Sequence, residues 1–146
     1  MIIRSATVVD LTSLVDFVLA EAHEAEGREL DRVTVAAAVG AALADPALAR
    51  YWVAEDASVP IAAIAIVLEW SDWLNAAYWW VQLAYVTPDH RRRGVIRALV
   101  DHVRTVASTE GAPELRLYVH PSNTRAIRAY ERLGFTLSPY VMMTLR

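Results

Sequence analysis

The sequence predicts an α/β fold of the α+β type: a mixed, mostly antiparallel sheet flanked by helices, in the order β-α-α-β-β-β-α-β-α-β. Three observations predict it. Two helical segments come early, three strand-like runs occupy the middle, and two strand–helix units lead to a closing strand. Consecutive strands joined by short turns pair antiparallel, whereas strand–helix–strand units add parallel neighbours, so this order implies a mixed sheet covered by helices.

Ile2–Ala6 begins the chain as a short strand. From Asp10, an N-cap residue type, apolar side chains fall at Leu11, Leu14, Val15, Val18, Leu19 and Ala22, the spacing of a helix with one buried face. The acidic stretch EAHEAEGRELD interrupts that pattern, and a second helix follows with Val35, Val39, Ala42 and Leu43 on one side, ending near Pro46. Arg50–Glu55, Ile61–Trp70 and Ala77–Val86 read as strands, the first two joined by the turn DASVP and the last two by SDWLN. Helical spacing returns from Gly94 to about Ser108 through Val95, Leu99, Val103, Val106 and Ala107. Glu114–Val119 is the next strand, Ser122–Leu133 the last helix with Gly134 as its stop, and PYVMMTL a closing strand.

Composition narrows the function. A chain of 146 residues, 55% hydrophobic and 21% charged, has the makings of one folded domain spanning 1–146 rather than a disordered segment. A net charge of −3 argues against a general polyanion binder, so no nucleic-acid partner is expected. The absence of cysteine excludes disulfides, thiolate metal sites and thiol catalysis. His23, His90, His102 and His120 lack ligand spacing, and no metal is expected. The apolar start is too short for a signal peptide and no run is long enough to span a membrane, so the chain reads as soluble and cytoplasmic.

One loop stands apart. PDHRRRGVIRALV, Pro88–Val100, lies between a strand and a helix, where the first backbone N–H groups of the helix have no internal partners. Those groups and the helix dipole favour an anion, Gly94 allows close approach, and arginines add contacts to phosphate oxygens. A solvated charge run is the alternative for three arginines taken alone. The loop has neither a G-x-x-x-x-G-K-[ST] nor a G-x-G-x-x-G pattern.

Together with PSNTRAIRAYERLGF, this loop resembles the GCN5-related N-acetyltransferase (GNAT) superfamily. Arg91 and Gly94 match the R/Q-x-x-G-x-G/A pattern, and Asn123, Ala126, Tyr130, Gly134 and Phe135 match a second block. The resemblance implies acetyl-CoA as co-substrate and an amine as acceptor. It places the pyrophosphate at Arg91, Arg92, Arg93, Gly94, Val95, Ile96 and Arg97, and the pantetheine arm along the backbone of Leu83, Ala84 and Val86. Asn123 and Ala126 join the cofactor residues through the second block. Ile96 departs from the pattern, which has glycine or alanine there. Its side chain is expected to turn inward with Leu99, Val100 and Val103.

The resemblance also implies direct attack of an amine on the thioester in a ternary complex, with Tyr130 as general acid and a backbone N–H near Ala84 or Tyr85 meeting the oxyanion. The base is open. Many relatives carry a glutamate where this chain has Gln82, an amide that can orient water or substrate but not take a proton. Glu69, Glu24, Glu26, Glu29 and Asp72 are the carboxylate candidates, reached through a water chain. Strict alternation puts Trp80, Gln82, Ala84 and Val86 on one face. Glu26 and Glu29 would draw in a cationic acceptor, and Trp80 would line its pocket, with core or dimer surface as the other reading of the tryptophans. The rival function is a non-catalytic acyl-CoA-binding regulatory module, motivated by Ile96 and Gln82. The apolar C-terminal strand and the tryptophans fit a homodimer.

Overall fold

A computed structural model describes residues 1–146. Five strands form one sheet in the order β1-β2-β3-β4-β5: β1 Ile2–Ser5, β2 Arg50–Asp56, β3 Val59–Ser71, β4 Ala76–Val86 and β5 Leu115–Leu117. The first four are antiparallel neighbours, and β5 joins β4 in parallel. Four helices cover the sheet: α1 Leu11–Glu26, α2 Arg32–Ala44, α3 Val95–Thr109 and α4 Thr124–Arg132. This is the α+β arrangement expected from the element order.

β3 organises the core because its run Ile61–Ile66 is buried on both faces. Ala62, Ile64 and Ile66 face the cluster under α3 with Leu99, Val103 and Trp79, while Ala63 and Ala65 face the cluster under α1 and α2 with Leu14, Phe17, Val39 and Leu83. A continuous apolar run suits a strand sandwiched between helices, and its alanines let those helices approach closely. The β2–β3 turn is tight: Ala57 and Ser58 both have positive φ, 48° and 63°, as a type I′ hairpin requires.

Three details differ from expectation. Asp10 does not cap α1; it is itself helical, and its buried carboxylate accepts from Arg4 (2.8 and 2.9 Å) and from the Thr7 N–H (2.8 Å), closing a 3-10 turn at Val8–Asp10. Strict alternation along β4 fails, because Ala65 pairs with Leu83 and Ile66 with Val81, leaving Gln82 as the extra residue of a bulge. Trp79 and Val81 therefore join the α3 cluster, but so do Ala84 and Val86, while Leu83 and Tyr85 turn to the α1 side. Trp80 does not share a face with Ala84 and Val86. Finally, PYVMMTL is not a strand. Residues 136–146 have no regular structure and make no backbone–backbone hydrogen bond. A strand needs a paired neighbour, and this segment makes no backbone pairing with the β5 edge.

Leu99 is fully buried at the centre of the α3 cluster. Leu99→Ala should lower unfolding stability by about 3 kcal/mol, as expected for a core leucine truncation. Urea denaturation measures it, and a loss below about 1 kcal/mol would contradict this packing.

Candidate active site

The site begins where β4 and β5 part. They pair only at Trp79–Leu115, Trp80–Arg116 and Val81–Leu117. Beyond the Gln82 bulge, β4 continues to Val86 with no partner on that side. Residues two apart in a strand present their backbone groups to the same side. Ala84 and Val86 thus aim at the opening. The Ala84 N–H donates to Glu21 Oε1 (3.3 Å), and the Val86 carbonyl accepts from Arg91 Nε (2.9 Å). Both contacts come from side chains of other elements, where a sheet would have supplied a strand.

Glu21 sits in the third turn of α1, on the stripe of Leu14 and Phe17 that faces the sheet. Burial pushes its carboxyl up to about 7; the Ala84 N–H opposes that rise, and the charges of Glu26 and Glu24 add to it. Tyr130 on α4 is half-buried and feels Glu21. Burial first, and the Glu21 charge second, push its phenol up to about 12. A carboxyl poised near neutrality, a phenol that keeps its proton, and an inward-held backbone N–H thus meet at one opening. Sequence reasoning missed Glu21, although an acid on the apolar stripe of an amphipathic helix was a readable signal.

The arginine loop adjoins this opening. After a 3-10 turn at Pro88–His90, Arg92 and Gly94 both take left-handed backbone, φ 63° and 76°. A left-handed arginine costs of order 1–2 kcal/mol, and alternating handedness turns successive N–H groups into one concavity. The N–H groups of Arg92, Arg93, Gly94, Val95, Ile96 and Arg97 donate to no protein acceptor; the helix's internal bonding starts with Ala98 N–H to the Gly94 carbonyl. A Cβ at Gly94 would meet no protein atom, so φ rather than crowding requires glycine.

The arginines divide the work. Arg91 turns back, reaching the Val86 carbonyl, Glu24 Oε2 (2.7 Å) and the Tyr85 ring (5.4 Å), so it fastens the loop to β4 and α1. Arg97 donates to the Arg132 carbonyl at the end of α4 (2.6 Å). Arg92 and Arg93 are exposed and form no ion pair, which leaves two free guanidinium groups beside six free N–H groups. Ile96 packs its side chain against the α3 cluster, leaving the concave face clear. Asn123 caps α4 by accepting from the Ala126 N–H (3.2 Å).

The other expected residues lie elsewhere. Gln82 is exposed at the bulge. Glu69 is 3.6 Å from Arg116 and lines the groove along β5, which it shares with Trp80 and Tyr130. Trp80 stacks on Tyr118, 4.3 Å between ring centroids. Glu26 is exposed at the end of α1, and Glu29 pairs with His23.

A mixed sheet parts at a bulge, and a helix start with unpaired N–H groups lies beside the gap. The chain belongs to the acetyltransferase (GNAT) family, whose model matches residues 12–135. It is similar to the ribosomal protein bS18-alanine N-acetyltransferase of Salmonella typhimurium, 37% identical over 82 residues, 56% of this chain and 50% of that protein. The chain thus aligns with half the length of that relative. A crystal structure of a possible acetyltransferase from Clostridium difficile is 32% identical, with a TM-score of 0.94 over 99% of this chain and 96% of that one. The aminoglycoside N-acetyltransferase AAC(6')-Iy in complex with CoA shares the fold, with a TM-score of 0.81 at 17% identity over 99% and 93% of the two chains.

Folding holds the Glu21 proton more tightly than the unfolded chain does between pH 4.5 and about 7. Its contribution to stability is therefore full below pH 4.5 and is lost as pH rises through about 7. Urea midpoints of wild type and Glu21→Gln across that range should show the wild type losing stability relative to the variant as pH rises. A pH-independent difference would contradict the buried position of Glu21.

Proposed function

We propose that residues 1–146 act as one acetyl-CoA-dependent N-acetyltransferase domain, with Glu21 as general base, Tyr130 as general acid and the Ala84 N–H as oxyanion donor. The observation that carries this reading is the Glu21–Ala84 contact inside the opening, beside Tyr130.

Acetyl-CoA supplies the activated acyl group; the residues of this chain hold it and move protons. The six free N–H groups at the start of α3, with Arg92 and Arg93, suit its pyrophosphate. The inward side chain of Ile96 suits cofactor binding, and a buried carboxyl on the Ala84 N–H favours catalysis over a non-catalytic acyl-CoA-binding module. The backbone of Ala84 and Val86 suits the pantetheine amides, whereas Leu83, expected to join them, turns its backbone groups to β3. A thioester carbonyl would take the Ala84 N–H from Glu21, releasing the carboxylate toward the acceptor amine. As the amine nitrogen bonds to the carbonyl carbon, Glu21 takes its proton and Ala84 meets the charge developing on oxygen. When the carbon–sulfur bond breaks, its electron pair goes to sulfur and the Tyr130 phenol donates to it. The steps are coupled: protonated Glu21 no longer raises the Tyr130 pKa, so the phenol becomes a better acid when an acid is needed. Glu21 then returns its proton to the phenolate.

The carboxyl near 7 also bears on the acceptor. An α-amino group, with pKa of about 8, gives up its proton to such a base almost without cost, whereas a lysine near 10.4 does not. This favours protein or peptide N-termini, and the name of the Salmonella relative is consistent with it. Exposed Glu26 and Glu29 would draw cationic acceptors to the rim. A cytoplasmic location, where acyl-CoA is consumed, and a homodimer belong to the same proposal.

With an α-amino peptide as acceptor, kcat/KM should rise with pH through an inflection near 7. Glu21→Gln should lower it about 100-fold or more and remove that inflection, because general-base contributions are typically of that size. Tyr130→Phe should lower kcat about 10- to 1,000-fold with little change in acetyl-CoA affinity. An unaltered pH profile in Glu21→Gln would remove it as the base.

A further inference from the structure

β2 stops short of its neighbour. Its first residue, Arg50, pairs with Ile66, and β3 runs on through Val67–Ser71 with β4 on one side and no strand on the other. No loop bonds to that bare backbone either. Alternation carries the apolar row of Ala62, Ile64 and Ile66 onward to Leu68 and Trp70. The first three are buried with α3, but Leu68 is exposed and Trp70 is 65% exposed. The turn to β4 adds Leu74 and Trp73, which is 86% exposed. That turn is well defined: the Leu74 N–H donates to Ser71 Oγ (3.3 Å), and Asn75 takes left-handed backbone, φ 51°.

Strand edges left bare in monomers are blunted by proline, lysine or a bulge, and Val67–Ser71 has none of these. Its one charge, Glu69, turns to the opposite face and lies 3.6 Å from Arg116; Asp72 sits in the turn. The arginines beside the hairpin are already paired, Arg50 with Glu110 and Arg116 with Glu69 and Glu114. An acidic tip without a free cation does not suit an anionic membrane surface.

A strand edge is complementary to itself. A twofold axis perpendicular to the sheet sets two copies antiparallel and continues each face across the junction. Residues that meet must then share a face, so the axis passes through a residue rather than between two. At Val67 or Leu68 it would drive the second strand into Arg50. At Glu69 it would oppose two like charges. At Ser71 it would leave only turn residues to pair. Trp70 remains, and there Glu69 meets Ser71 of the second copy. With about 150–250 Å2 for a tryptophan, Trp70, Trp73, Leu68 and Leu74 bring roughly 450 Å2 of exposed apolar surface per copy. Both copies, with the strand edges added, reach the roughly 1,000 Å2 that a specific interface needs.

We propose that the chain forms a twofold dimer through the bare edge of β3, Trp70 meeting Trp70 of the second copy and each Trp73–Leu74 turn covering the other's Leu68. The interface lies at the hairpin end of β4 and the opening at its Val86 end, so both sites stay free. This rests on the homodimer reading above and gives it a surface; it borrows nothing from the acyl-transfer chemistry.

Sedimentation equilibrium of the full chain should give twice the 16.2 kDa chain mass. Trp70→Glu should give the single-chain mass with an unchanged far-UV spectrum. The natural chain has no cysteine, so a second measurement holds even if that variant misfolds. Cα atoms that face each other in an antiparallel pair are about 4.5–5.5 Å apart, within disulfide range. Oxidised Trp70→Cys should therefore become a covalent dimer, while Val33→Cys, equally exposed on α2, should not. A wild-type monomer would overturn the interface and the homodimer together. A dimer indifferent to Trp70→Glu, or Trp70→Cys that bridges no better than Val33→Cys, would overturn the interface alone.

Discussion

The structure depends on how β4 leaves its partner. Three residues of parallel pairing hold β4 to β5, and then the bulge at Gln82 turns the strand over. Were Gln82 paired as an ordinary residue rather than bulged out, the side chains beyond it would exchange faces: Leu83 and Tyr85 would leave the α1 core, and Ala84 and Val86 would take their place. The bulge thus lets one strand serve two cores and still leave an open edge. An open edge in a protein interior is costly unless its donors and acceptors are met. Here side chains of Glu21 and Arg91 meet them, and in the proposed reaction a ligand takes their place.

Charge is distributed to match. Glu24 neutralises Arg91, which anchors the loop, and Arg97 closes the end of α4. What remains uncommitted at the start of α3 is a concave row of N–H groups with two exposed guanidinium groups. Strain at Arg92 and the left-handed Gly94 hold that row in place before any anion arrives. Preorganisation of this kind spends free energy at folding rather than at binding.

Much of this was legible in the residues. The fully apolar run Ile61–Ile66 marked a strand covered on both faces, helical spacing marked α1 and α3, and the loop and Tyr130 blocks marked the family. Ile96 turns inward because it shares the helical face of Leu99, Val100 and Val103, which periodicity alone predicts. The Gln82 bulge was not legible, since a bulge is a property of two paired strands and shows only in their register. Glu21 stands on the apolar stripe of α1, but only the fold shows that this stripe meets Ala84, while Glu24, Glu26 and Glu29 nearby are exposed. The C-terminal segment reads as a strand from its own residues, yet a strand exists only when it is paired, and this segment pairs with none.

The central claim is that the Ala84 N–H is held by a carboxylate that titrates near neutrality and yields it to the acyl group. Two-dimensional amide NMR reads this directly. In the free protein the Ala84 amide signal should titrate with an inflection near pH 7, and saturation with a non-transferring acyl-CoA analogue should abolish that inflection. An Ala84 amide that ignores pH across this range, or that titrates identically with the analogue bound, would contradict the account.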